Sequence, residues 1–519
     1  MIKWRLIFFL GAITLSIQFA TAQDYVESAL MFSRTKIGGS ARIQGLGGAQ
    51  ISLGGDYSSA FSNPAGLGMF NRSEVSLTPA LTGFSTGSNF LGNKNDESLS
   101  RLQIPGFGIV FNVPGRQGGD YIGGSFAITL NRTNDFREDF TYFGANENSS
   151  IIDSFLSEAD GFTTEQFEEG QYHYNTPTGL AYFNYLIGPT STRDPDDGLD
   201  TEYFTDVQSN FQNILSPADQ FEQVSRKGAM NQWSLSYGAN FRDRYFVGGG
   251  IGIASLRYES RTRFYESYAE DNFFDNLMLE ENVEITGSGI NATLGAIVRP
   301  VDFLQVGISY TTPTYYTITD TYSASMNTTW KNFDYYGEEL PGQDEVILNN
   351  ESASTDIVTS EYNFTVPSRL RAGVTFISKI GFISTDLEFT NPSRGKYSSE
   401  TPGVDYQPEN EGIKSSYAST MNFRVGGEYR YKILRFRAGY GIEGNPYKSN
   451  LDIDDKITSI SGGIGVRLKK FYIDFALIQR KGDSLYQPYT YWDGNDYVGP
   501  VVDLSRKLTS GLITIGFNY

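Results

Sequence analysis

The last eight residues, Leu512-Ile513-Thr514-Ile515-Gly516-Phe517-Asn518-Tyr519, alternate apolar side chains with small or polar ones almost to the chain end. Side chains on a strand switch faces at every residue, so Ile513, Ile515, Phe517 and Tyr519 share one face and Leu512, Thr514, Gly516 and Asn518 the other. The period recurs upstream. Trp233, Leu235, Tyr237, Ala239 and Phe241 oppose Gln232, Ser234, Ser236, Gly238 and Asn240; Leu370, Ala372, Val374 and Phe376 oppose Arg369, Arg371, Gly373 and Thr375. Phe423, Val425, Gly427, Tyr429 and Tyr431 oppose Asn422, Arg424, Gly426, Glu428 and Arg430. Charges cannot face lipid cheaply, so strands of this kind suit a barrel with a greasy outside and a wet interior.

Alternation and turn residues together predict about fourteen strands, near 74–83, 104–113, 121–131, 231–241, 244–258, 283–298, 303–312, 366–377, 380–390, 420–431, 433–442, 457–468, 471–479 and 509–519. The links between them run long, short, long, short. Those at 84–103, 132–230, 259–282, 313–365, 391–419, 443–456 and 480–508 are long, and the intervening turns are short. An antiparallel transmembrane barrel with short periplasmic turns and long external loops requires this parity; a soluble sandwich or solenoid does not. The expected fold is all-β, a barrel of about fourteen antiparallel strands.

The amino terminus supplies an address. Lys3 and Arg5 precede an apolar stretch from Leu6 to Phe19, and Ala20-Thr21-Ala22 is a small-x-small cleavage site before Gln23, so residues 1–22 read as a secretory signal peptide. That stretch is too short for a good spanning helix, and no later apolar run is long enough either, so any membrane span is made of strands. No cysteine occurs, which excludes disulfides, thiol catalysis, cysteine-based metal sites and a lipidated N-terminal cysteine. A mean hydropathy of −0.33 is compatible with a barrel, because only alternate strand residues meet lipid. The net charge of −19 becomes about −21 without Lys3 and Arg5, which argues against nucleic acid as a partner.

Between Gln23 and Arg72 the chain changes character. It reads Gly38-Gly39-Ser40-Ala41-Arg42, then Gly45-Leu46-Gly47-Gly48-Ala49, then Gly54-Gly55-Asp56-Tyr57-Ser58-Ser59-Ala60-Phe61-Ser62-Asn63-Pro64-Ala65-Gly66-Leu67. A Gly/Ala-rich segment ending in Asp-x-Ser-x-Ala-x-x-x-Asn-Pro-Ala-Gly-Leu and followed by about fourteen strands resembles the FadL-type long-chain fatty-acid and hydrocarbon transporter family of outer membranes. The resemblance rests on Asp56, Ser58, Ala60, Asn63, Pro64, Ala65, Gly66 and Leu67 and implies a lumenal hatch over 23–72 inside a barrel over 73–519. It also implies passive diffusion of hydrophobic molecules, gated by the hatch residues Asp56, Ser58, Asn63, Pro64, Ala65 and Gly66, with sideways exit where the third strand is kinked. Glycine admits close backbone approach and positive φ, and Asn-Pro forces an extended residue before a fixed turn, so the composition suits a plug. The plain alternative is a turn leading into the first strand.

On the third strand Gly123-Gly124 is the candidate kink, since glycine in a strand weakens the ladder; similar pairs at Gly248-Gly249, Gly426-Gly427 and Gly462-Gly463 point equally to tight curvature. In the longest loop Phe204, Val207, Phe211, Ile214 and Leu215 are spaced as the stripe of a short helix, either packed against another loop, with Phe273, Phe274, Leu277 and Met278 as partners, or forming an external ligand groove. Arg369, Arg371, Arg424, Arg435 and Arg437, with Arg430 and Arg467, are expected inward. A guanidinium fork there suits a ligand carboxylate, while pairing with Asp386, Glu388, Glu428 and Asp474 is the bracing alternative.

Enzymatic chemistry finds no support. The single histidine, His173, lies in a predicted external loop with no partner at catalytic spacing. The acidic run from Asp194 to Glu202 lacks the spacing of a twelve-residue calcium loop and reads as a solvated loop. No cofactor or metal is expected. The partners are a hydrophobic small molecule, outer-membrane lipid and, during biogenesis, the barrel-assembly machinery; family resemblance implies a monomer in the bacterial outer membrane. Two other functions fit the same pattern: a nonspecific diffusion pore and the barrel component of a protein-secretion system.

Overall fold

A computed structural model describes residues 18–36, 38–115, 119–168, 175–192, 199–207, 218–268, 273–337, 345–451 and 453–519. The chain forms a closed, antiparallel barrel of fourteen strands. In order they are β1 Glu74–Phe90, β2 Asn93–Pro114, β3 Tyr121–Asp135, β4 Ala218–Phe241, β5 Tyr245–Ser267, β6 Phe274–Val301 and β7 Leu304–Thr311. The circuit continues with β8 Arg369–Ser378, β9 Gly381–Thr390, β10 Thr420–Tyr431, β11 Leu434–Glu443, β12 Ile457–Arg467, β13 Phe471–Tyr486 and β14 Val502–Asn518. Three of them are prolonged beyond a break: β3 by Glu138–Asn146, β7 by Thr314–Asp334 and β8 by the preceding Val358–Val366. Closure is between β1 and β14, where Glu74 faces Asn518 and Asn89 faces Asp503.

The two faces divide as the alternation demands. Trp233, Leu235 and Tyr237 stand exposed on the outside of β4, and Ser234 and Ser236 are buried inside. Ile251, Ile253, Ile290, Leu294, Leu370, Phe376, Ile460, Leu477 and Ile513 continue the same apolar girdle. An outward apolar band around a closed antiparallel barrel with a polar inside is what a membrane-spanning barrel presents to lipid; no helix among the described residues is long and apolar enough to span a bilayer. The molecule is an integral outer-membrane β-barrel.

Several links expected to be long loops are strand. Instead of looping at 84–103, β1 and β2 run on to a two-residue turn at Leu91-Gly92, with φ of 49° and 87°. Positive φ at both positions matches the turn twist to the strand twist. Pairing likewise fills most of 259–282 and 313–365. The reason is that Ser85, Gly87, Ser98 and Ser100 face water above the lipid, so hydropathy stops alternating while the backbone ladder continues. The barrel therefore projects well beyond its apolar girdle on the long-link side.

A plug and a roof fill the interior. Helix α1, Gln18–Ser33, runs across the expected cleavage site after Ala22; α2 Ala41–Gln44, α3 Ser59–Ser62 and a 3₁₀ turn Pro64–Met69 follow inside the barrel. The roof comes from the longest link, through α4 Ile151–Ala159, α5 Thr164–Glu168 and α6 Pro177–Phe183. Ser150 starts α4 with a capping box: its hydroxyl takes the Ile152 N–H while Asp153 takes the Ser150 N–H at 2.8 Å. Ile152, Phe155, Phe167 and Leu180 then pack against Phe264, Leu279, Met326 and Trp330 on the projecting strands. Burying each large apolar side chain there contributes roughly 1.5–3 kcal/mol.

The helix expected between Tyr203 and Leu215 is absent where the chain is described: Tyr203–Phe204 pairs as a short strand with Gly188–Pro189. Available backbone partners override a helical spacing. Val207 is buried in the roof core with Phe274 and Leu277, while Phe211, Ile214 and Leu215 lie outside the described residues, as do His173 and most of the acidic run.

Candidate functional site

The Asp-x-Ser…Asn-Pro-Ala-Gly motif builds the inside of the plug. Asp56 Oδ2 accepts the Ser40 hydroxyl at 2.6 Å and Oδ1 accepts the Ser58 N–H at 3.0 Å, tying α2 to α3. Asn63 has the extended backbone that a following proline requires, φ −148° and ψ 95°. Its Nδ2 donates to the Ile51 carbonyl at 2.7 Å and its Oδ1 accepts the Ala65 N–H at 3.2 Å. Pro64 opens the 3₁₀ turn, where a missing N–H costs nothing. Asp56, Ser58, Asn63, Pro64, Ala65 and Gly66 are all buried.

The barrel wall is shaped to this plug. A Cβ on Gly108 would lie 2.6 Å from Tyr57, and those on Gly238 and Gly248 would strike the Pro64 backbone. Gly295 faces Asn63, Gly307 faces Ile51, Gly426 faces Leu46 and Gly439 faces Gly47. None of these seven has positive φ, so glycine is present for room and not for conformation. Wall hydroxyls and one carboxylate take the plug's backbone. Ala41 N–H donates to Thr514 Oγ1 at 2.7 Å, Gly47 N–H to Ser461 Oγ at 3.0 Å, and Gln50 and Ile51 N–H to Asp386 Oδ2 at 2.5 and 2.9 Å. From the wall, Ser236 Oγ donates to the Ala60 carbonyl at 2.6 Å and Ser309 Oγ to the Ser62 carbonyl at 2.5 Å.

Most inward arginines are committed to carboxylates. Glu388 is held by Arg371 and by Arg424, the latter at 3.1 Å. Arg437 bridges Glu428 at 2.8 Å and Asp474 at 2.7 Å, and Arg467 reaches Asp474 at 2.8 Å. Asp386 differs from the expected brace because it serves the plug's amides. Arg369 donates to the Ser33 carbonyl at 3.0 Å, and Arg435 folds back on the Lys432 and Leu434 carbonyls at the short-turn end.

The wall is interrupted between β2 and β3. Their ladder stops at Gly106–Asn131; beyond it, residues 93–103 pair only with β1, Ile104 and Pro105 fall in a register shift, and the upper part of β3 pairs only with β4. Pro105 has no N–H to give, and a bulge between Arg132 and Asn134 turns β3 away. Higher up the edges meet again through side chains, with Asn95 Nδ2 of β2 donating to the Thr141 carbonyl at 3.3 Å. Among the described residues the resulting side window is crossed by one side-chain hydrogen bond, Arg132 Nη1 to Gln103 Oε1. Gly123, at φ 153°, does bulge, but near the short turn, where Pro114 and Asn240 still pair with it on either side. The parting is therefore not at Gly123-Gly124. An X-Pro-Gly step inside a strand, Ile104-Pro105-Gly106, was the available signal.

Behind the window lies a cavity. Gly38, Gln44 and Gly47 of the plug form its floor, Ile478, Leu508 and Leu512 an apolar side, and Lys36, Arg132 and Arg480 its cations. Lys36 donates to the Asp135 carbonyl at 2.6 Å, and burial, reinforced by Arg480, pulls its ammonium down to about 8. Among the described residues no group of acidic or histidine side chains is arranged to hold a metal.

No family model and no curated relative matches the sequence. Solved structures do. A Pseudomonas aeruginosa FadL homologue is similar over 94% of this chain and 99% of its own, at 12% identity and a TM-score of 0.54. The P. putida toluene transporter TodX is similar over 93% of this chain and 99% of its own, at 10% identity and a TM-score of 0.50. The class is that of plugged outer-membrane barrels, and the particular fold is the FadL type.

Proposed function

We propose that this protein carries hydrophobic small molecules, long-chain fatty acids or aromatic hydrocarbons, across the outer membrane by passive diffusion with lateral exit. The observation that carries the reading is the window between β2 and β3, opening on a cavity whose floor is the plug. A seat of glycines and hydrogen bonds closes the axial route, which disfavours an open pore. The plug acts as the gate from below, and the Arg132–Gln103 contact latches the side. The similar structures described as a FadL homologue and a toluene transporter support the cargo class.

The absence of native cysteine gives a clean test. Gln103→Cys with Arg132→Cys, oxidised, should block uptake of a labelled fatty acid or toluene, and reductant should restore it. Uptake unaffected by a demonstrated cross-link would refute lateral exit; uptake absent from the unmodified protein in both assays would refute the cargo class.

A further inference from the structure

Outward cations on this barrel are generally neutralised within the sheet. Above the girdle on β4–β6, Lys227 pairs with Glu259 at 2.6 Å, Arg257 with Glu259 and Glu284 at 3.0 and 3.3 Å, and Arg261 and Arg263 with Glu280 at 2.5 and 2.6 Å. Others, such as Lys94 on β2, have no ion pair among the described residues, and two of these unpaired cations oppose each other directly. Lys481 on β13 and Lys507 on β14 are directly opposite in the ladder, both exposed and both on the outer face. Directly opposed side chains have Cβ atoms about 5 Å apart, and like charges so placed are destabilising. No carboxylate lies within 4.0 Å of either ammonium among the described residues. Acids on the outer face nearby are Asp483, two residues farther along β13, Asp503, four residues from Lys507, and Asp96 of β2, whose carboxylate lies over Gly87; Lys456 is paired with Asp454 at 3.2 Å.

The flanking positions are hydroxyls. In the same row Ser85 of β1 faces Lys507, and Thr458 of β12 faces Lys481. The row therefore reads Ser85, Lys507, Lys481, Thr458 across four adjacent strands. Two to four residues below it along the strands stand the girdle side chains Leu81, Leu477 and Ile460, at 56, 52 and 65% exposure. This is the long-link side, which faces outward from the cell. Lysine stems lie along apolar surface and place their ammonium groups at headgroup level.

We propose that Lys481 and Lys507, with Ser85 and Thr458, bind the phosphorylated headgroup of an outer-leaflet glycolipid. Two uncompensated ammonium groups and two hydroxyls complement a phosphate, and the acyl chains descend over Leu81, Leu477 and Ile460. The lipid supplies the counter-charge that the sheet withholds. The site is on the outside of the wall, on strands one to four positions around the barrel from the window's β2 edge, and does not depend on the cargo.

The test is native mass spectrometry of the detergent-purified full chain titrated with bis-phosphorylated lipid A. The wild type should retain one lipid, and Lys481→Gln with Lys507→Gln should weaken retention on the order of ten- to thirty-fold, from about 1 kcal/mol per lysine. Lys227→Gln, an already neutralised cation, should change nothing. Lys507→Glu gives a second variant that keeps the fold, since it creates a cross-strand ion pair with Lys481; it should raise thermal stability in lipid-free detergent and abolish retention. Equal retention by the double variant, or equal retention of phosphate-free lipid A, would overturn the site. Inorganic phosphate binding as tightly as the lipid would overturn its assignment to a lipid.

Discussion

Asp386 of β9 accepts the backbone N–H of Ile51 at 2.9 Å, from within the barrel wall and across 335 residues of chain. The same oxygen takes the Gln50 N–H at 2.5 Å. One wall carboxylate thereby anchors two consecutive amides of the plug that no helix or strand satisfies.

Asp386→Ala should leave those two buried amides without acceptors. Unsatisfied buried donors cost about 1–3 kcal/mol each, so the plug should loosen by several kcal/mol while the barrel still closes. Limited proteolysis beside a heat-modifiability gel checks this: faster cleavage near Gln50 with an unchanged folded-barrel band is expected. Equal protection in both proteins would show that the plug does not depend on this anchor.

Gly439→Val tests the shaped wall. Its Cβ would collide with the Gly47 backbone, whereas β11 itself tolerates the change because φ is ordinary. Overpacking typically costs about 1–3 kcal/mol, and here it falls on the plug. Conductance in planar bilayers should rise in the variant; a silent bilayer would mean that the plug adapts.

Arg132→Ala removes the latch without touching either ladder. Faster exit of cargo is expected, read as a higher initial uptake rate at unchanged protein level. A slower rate would assign Arg132 to cargo binding.

The roof should weaken as pH rises. Glu222 lies on the projecting part of β4, above the girdle, and burial pushes its carboxyl up to about 7, opposed by the Tyr486 and Tyr142 hydroxyls and reinforced by Glu281; Tyr486 Oη donates to Oε1 at 2.9 Å. Burial likewise pushes Glu158, Glu266 and Glu281 up. The folded state then holds more protons than the unfolded one between about 4.5 and 7. This contribution is fully present below 4.5 and lost as pH climbs through 7. A shift of this size corresponds to about 3 kcal/mol. Hydrogen exchange in α4–α6 should accelerate across that window, and Glu222→Gln should flatten the response; a pH-independent wild type would contradict the assignment.

Much of the architecture was legible in the chain. Alternation at Trp233–Phe241 and Leu370–Phe376 identified membrane strands because one face meets lipid and the other does not. The parity of long and short links identified a barrel; the Asn63-Pro64-Ala65-Gly66 run by itself reads as a turn and pointed to a plug only through its resemblance to the FadL-type family. Projecting strands such as Ser85–Phe90 were not legible, because water on the outer face erases the hydropathy contrast that marks a strand.

Relations between distant residues belonged to the tertiary structure alone. Periodicity places Arg132, Gln103, Lys481 and Lys507 on faces, but only the register of neighbouring strands sets Arg132 against Gln103 and Lys481 against Lys507. The glycines opposite the plug carried no distinguishing mark in sequence either. What selects them is the backbone of another segment arriving within contact distance, a condition that no stretch of chain contains by itself.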